Sequence, residues 1–86
     1  MTPMQPSPLD LAVVSDESRL LWRLLGELGP PKREVFVLAE LEEMTVPEIA
    51  EAIGVPLNTA YSRLRAARHE FNEAFARYAA EQKGRR

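Results

Sequence analysis

Residues Glu48 to Arg68 read EIAEAIGVPLNTAYSRLRAAR. The stretch holds two apolar patterns at helical spacing, separated by Gly54-Val55-Pro56, and its second half carries Arg63, Arg65 and Arg68. Thr45 stands three residues before Glu48. That is capping-box spacing: the threonine hydroxyl accepts from the Glu48 backbone N–H while the Glu48 carboxylate accepts from that of Thr45. Pro47 falls in the first turn, where its missing N–H costs nothing. Ile49, Ala50 and Ile53 form the inward face, Gly54 can adopt a left-handed backbone, and Pro56 stops the helix from continuing. So short a break sends the next helix off at a steep angle. That helix is expected from Leu57 to Ala80, roughly 35 Å at ~1.5 Å per residue. At ~100° per residue, Ala60, Ala67, Phe71, Phe75 and Tyr78 cluster around Leu64 as its buried face. The far side of its first turns carries Asn58, Thr59, Ser62 and Ala66, with Arg63 and Arg65 at the edges.

Upstream of this stretch the signals continue. Ser15 or Asp16 is a helix N-cap, and Leu20, Leu21, Leu24, Leu25 and Leu28 follow at helical spacing until Gly29-Pro30 stops the helix. Pro31 suits a first turn, and Val35, Phe36, Leu38, Ala39 and Leu41 give the next helix its apolar stripe, ending near Glu42-Glu43-Met44. The expected fold is therefore all-α, four helices ending in a helix-turn-helix. Residues 1–15 open with MTPMQPSP and read as a flexible proline-rich tail or interdomain linker, within which LDLAVV (9–14) either docks on something or ends the linker. The folded domain is expected at 16–80, with a disordered basic tail at 81–86. Trp22 reads as a packing residue of the leucine stripe, the alternative being part of a groove for a partner helix. Phe36, Phe71 and Phe75 read as core.

A chain of 86 residues builds one small domain with no room for a buried multidomain active site. It has no cysteine, which excludes disulfides, thiolate zinc sites and cysteine nucleophiles. No catalytic triad, phosphate loop or paired acid is present, so an enzyme is not expected. His69 lacks a second histidine and reads as a surface residue, and Glu40, Glu42 and Glu43 read as solvent-facing. No metal or cofactor is expected. No apolar run approaches the ~18 residues of a membrane span, and no signal peptide opens the chain; a cytoplasmic location is expected. The formal net charge of −2 conceals a division. Met1–Ile53 holds four basic residues against ten acidic ones, and Gly54–Arg86 seven against three. That asymmetry points either to two surfaces for two kinds of partner, one of them a polyanion, or to chance clustering on solvated faces.

A helix that enters the major groove needs short hydrogen-bonding side chains facing base edges and long cationic ones where it passes the phosphates. The start of the last helix has that arrangement, and the helix before it would brace it across the DNA backbone. The alternative is an αα-corner whose charged face is merely solvated.

The run from Leu25 to Phe71, LGELGPPKREVFVLAELEEMTVPEIAEAIGVPLNTAYSRLRAARHEF, resembles region 4 of bacterial sigma-70 family factors, particularly the extracytoplasmic-function group. The residues that carry the resemblance are Leu28 with Pro30 or Pro31, Arg33, Val35, Phe36 and Leu38, then Glu48-Ile49-Ala50, Gly54-Val55, Thr59, Ser62-Arg63-Leu64 and Ala67-Arg68. It extends from Leu20 to Phe75 with unbroken spacing. The resemblance implies a winged-helix-like sigma region 4 architecture without a wing. It also implies a module that reads the −35 element of double-stranded promoter DNA and grips the flap of the RNA polymerase β subunit. By position, Asn58, Thr59, Tyr61, Ser62 and Arg63 are then base-proximal, and Arg65 and Arg68 contact phosphates. An anti-sigma factor is a further implied partner. Tyr61 and Ala66 depart from the basic or polar residues common there, which puts the sequence preference in question. Nothing resembles region 2, so the chain is not expected to melt promoters by itself; it is either a piece of a longer factor or a free-standing region 4-like protein. The alternative reading is an interaction module that binds polymerase or an anti-sigma factor through its leucine-rich, acidic half, with little DNA affinity.

Overall fold

A computed structural model describes residues 15–84. Four α-helices follow one another: α1 (Asp16–Leu25), α2 (Pro30–Phe36), α3 (Val46–Ile53) and α4 (Leu57–Gly84), with no strand among the described residues. The expectations for residues 1–14, and for Arg85 and Arg86, lie outside the described residues.

Ser15 is the N-cap of α1, its hydroxyl accepting from the Ser18 N–H at 3.3 Å. Asp16 and Glu17 lie in the first turn, where negative charge suits the exposed N–H groups. The Glu17 carboxyl is held below the usual carboxylate range, first by its own backbone N–H and then by the Ser15 hydroxyl. The helix ends at Leu25, earlier than the expected Leu28. The Gly26 N–H is shared between the Trp22 and Arg23 carbonyls, and the next two N–H groups bond three residues back, Glu27 to Leu24 at 3.0 Å and Leu28 to Leu25 at 3.1 Å. This tightened turn carries Leu28 into the core, 2% exposed. Gly29 is consequently the N-cap of α2 instead of a stop signal, and both Pro30 and Pro31 fall in its first turn.

Arg33 joins these two helices. Its Nε donates to the Leu25 carbonyl at 3.1 Å, beside the Leu28 N–H, and its Nη2 to the Leu28 carbonyl at 3.0 Å, so one guanidinium clasps the last turn of α1 and the tightened turn that follows it. After Phe36 the backbone widens into a π-helical turn over Val37–Leu41, closed by the Glu42 N–H on the Val37 carbonyl at 3.0 Å. The wider turn shifts the helical phase. Leu41, expected in the apolar stripe, is left 40% exposed, while Met44 and Val46 pack on the core.

Both bonds of the Thr45–Glu48 capping box form, at 2.8 and 3.2 Å. Gly54 takes the left-handed conformation at φ 73°, and the N–H groups of Gly54 and Val55 converge on the Ala50 carbonyl at 2.9 and 3.0 Å. The final helix passes the expected end at Ala80, so Glu81–Gly84 are helical where a disordered tail was expected. Glu81 there meets Arg23 of α1 at 4.0 Å, and Lys83 suits the helix's negative end.

The core joins all four helices through Leu25, Leu28, Val35, Phe36, Ile49, Leu64 and Ala67, with Phe71 stacked on Phe36 at 4.7 Å. Ala60, Ala67 and Ala74 are buried on α4, where small side chains let the short helices approach closely. Two expected packing residues are instead half open: Trp22 is 56% exposed and Phe75 50%. The long α4 outruns the helices that cover it. Phe75 therefore borders an apolar groove formed with Leu20, Leu21, Leu24 and Phe71, its ring near-parallel to and offset from that of Tyr78, with centroids 6.4 Å apart. No helix among the described residues is long and apolar enough to cross a membrane.

Candidate nucleic-acid interface

Ile49 of α3 and Leu64 of α4 lie in one buried cluster, and with Ala60 and Ala67 they set the rotation of α4 about its axis. The side opposite that seam faces outward wholly or in part. Asn58, Tyr61, Ser62, Arg65 and Arg68 are exposed, while Thr59 and Arg63 are half-buried on the other flank with Ala66. The expected site residues thus share the first three turns of one helix and face solvent wholly or in part. Pro56 precedes the helix and its carbonyl accepts the Ala60 N–H at 3.1 Å, so the Asn58 and Thr59 N–H groups have no intrahelical partner. The positive end of the helix dipole lies beside the polar face.

Tyr61, Arg65 and Arg68 line a cleft of about 240 Å³ together with Leu64 and Val46. Val46 is the first residue of α3, so the cleft joins the capped start of that helix to the outer side of α4. Sequence periodicity treats the two helices separately and does not find this junction.

Charge at the site depends on which cations already have partners. Arg77 donates to Glu27 at 2.9 Å, Lys32 pairs with Glu70, and the Arg68 Nε donates to Glu40 at 2.7 Å. Together with the Arg23–Glu81 contact, these pairs tie α4 to the elements before it. Arg63 and Arg65 take part in no ion pair among the described residues. Much of the charge asymmetry is therefore matched inside the molecule, and on the outer face of α4 the guanidinium groups of Arg63 and Arg65, without ion-pair partners among the described residues, flank Asn58 and Ser62. Arg68, expected as a phosphate contact, is already engaged through one of its N–H donors. His69 pairs with Glu73 at 3.3 Å with both side chains exposed, and no group of three metal-ligating side chains occurs among the described residues.

Residues 18–70 match a protein family described as sigma-70, region 4. The chain is also similar to the probable ECF RNA polymerase sigma factor SigI of Mycobacterium tuberculosis, in strains CDC 1551 / Oshkosh and ATCC 25618 / H37Rv. Each is 38% identical over 68 residues, covering 78% of this chain and 23% of the relative. The chain spans less than a quarter of the length of these curated relatives.

Proposed function

The chain belongs to the sigma-70 region 4 family, and from that premise we propose that it is a DNA-binding module of transcription initiation, reading the −35 promoter element with the first turns of α4. The observation that carries the reading is the pairing pattern. Where Arg23, Lys32, Arg33, Arg68 and Arg77 have acidic or carbonyl partners, Arg63 and Arg65 remain available beside short polar side chains; Arg19 and Lys83, also without such partners among the described residues, lie outside this face, on α1 and at the end of α4. With α4 in the major groove, Asn58, Thr59, Tyr61 and Ser62 approach base edges, and Arg63 offers the planar fork that matches guanine O6 and N7. Arg65 and Arg68 lie toward the phosphate wall, and the capped start of α3 braces the backbone.

The polymerase β flap and an anti-sigma factor are proposed partners of the N-terminal half. The apolar groove between α1 and α4 supports that assignment, because it leaves Phe75 and its leucine neighbours without full cover. A cytoplasmic, non-enzymatic role goes with this function.

Selection of bound duplexes from a random-sequence pool, using the purified chain and then Arg63→Ala, tests the proposal. A short recurring motif should emerge and lose information at one position in the variant, corresponding to about 1–3 kcal/mol of discrimination. A folded chain that selects no motif would overturn sequence reading and leave protein binding as the main activity.

A further inference from the structure

Arg68 lies between two clefts. On one side it lines the cleft with Tyr61 and Arg65; on the other it shares a second, of about 290 Å³, with Glu40, Phe36 and Phe71. Its Nε donates to the Glu40 carboxylate at 2.7 Å, with the two side chains 56% and 36% exposed. Glu40 belongs to the π-helical turn, which the Glu42 N–H closes on the Val37 carbonyl.

We infer that Glu40 is an internal stand-in for a DNA phosphate: it holds the Arg68 guanidinium in the second cleft, and duplex binding exchanges the carboxylate for a backbone phosphate. The inference rests on the DNA-binding reading above and adds to it a residue that sets affinity without touching DNA. Three observations support it. Glu40 and a phosphate oxygen present the same charge and acceptor chemistry to a guanidinium. Both partners are well hydrated, so the pair is screened and easily exchanged, unlike a buried pair whose rupture strands a charge. Arg65, three residues earlier on α4, has no ion-pair partner among the described residues, so a phosphate drawn to it arrives within reach of the next guanidinium on that face.

The test compares the full chain, Glu40→Gln, Arg68→Ala and the double variant in titrations with a random-sequence duplex pool at one fixed salt concentration. Glutamine keeps the shape and removes the charge. Glu40→Gln should bind about two- to five-fold more tightly, the range that exposed ion pairs span, and Arg68→Ala should bind more weakly. In the double variant the gain should vanish. A gain of equal size with and without Arg68 would reduce Glu40 to general charge repulsion, and an unchanged or weaker Glu40→Gln would also overturn the inference. In parallel, the Arg68 Nε–H resonance of the free chain should move both on Glu40→Gln and on adding duplex. A bound duplex that leaves the resonance in place refutes the exchange while leaving the DNA-binding reading intact. Absence of duplex binding by both wild type and Glu40→Gln refutes that reading and takes the exchange with it, although the resonance still reports the ion pair.

Discussion

Gly54 and Glu43 occupy the same region of backbone space, at φ 73° and 59°, with opposite consequences for substitution. At Gly54 an added Cβ meets no atom within 4 Å, so the strain of Gly54→Ala is conformational alone. It should lower unfolding free energy by about 1 kcal/mol. Glu43→Gly should do the reverse, raising stability by a few tenths to about 1 kcal/mol, less the entropy that glycine loses on folding. Urea titrations of both variants check the pair, and two losses would show that position 43 does not sit in the left-handed region in solution. Arg33 acts over a longer reach. Arg33→Met keeps the apolar stem but abandons the Leu25 and Leu28 carbonyls, at a cost of about 1.5–3 kcal/mol for charged hydrogen bonds lost in a half-buried site. A loss within error of zero in the same titrations would mean that water caps α1 as well as the guanidinium does.

At the scale of elements, α4 does two jobs along its length. Its N-terminal half presents the polar and cationic face, and its other side holds Leu64, 3% exposed, in the core. Leu64→Ala should therefore cost about 2–5 kcal/mol. Phe75 is on the same stripe by periodicity yet half exposed, and Phe75→Ala should cost less than half as much in thermal melts. Equal losses would place the groove between α1 and α4 under more cover than these helices provide. The π-helical turn illustrates how an element escapes a periodicity reading. Apolar residues through Leu41 continue a helical pattern, but one wide turn rotates the last of them outward, and Met44 and Val46, in the connection and at the start of α3, pack on the core instead. Which turn closes there depends on what the following helix packs against.

For the whole molecule, the decisive quantity is the matching of charge across long sequence separations. Each of the pairs tying α4 to the N-terminal elements is more than a third exposed, so each contributes little to stability. Their effect is on which cations stay available to DNA. Arg65→Ala should reduce the slope of log affinity against log salt by about one. Arg77→Ala should leave it unchanged, because that side chain already faces Glu27. Similar slopes for the two variants would mean that the Arg77–Glu27 pair also opens when DNA binds, as the Arg68–Glu40 pair is proposed to do.

The sequence by itself determined the parts of this protein that depend on near neighbours: the capping box at Thr45, the left-handed Gly54, the prolines at helix starts, and the face of Asn58 and Ser62 opposite Leu64 with Arg63 and Arg65 at its edges. Those features rest on backbone conformation and on side chains within a turn or two, and their spacing is written in the chain. Only the tertiary structure decided that Gly29 starts a helix, that Arg33 caps another, that Trp22 and Phe75 stay half exposed, and that Arg68 and Arg77 meet Glu40 and Glu27. Those outcomes turn on partners brought together from up to 50 residues apart, for which local spacing carries no signal.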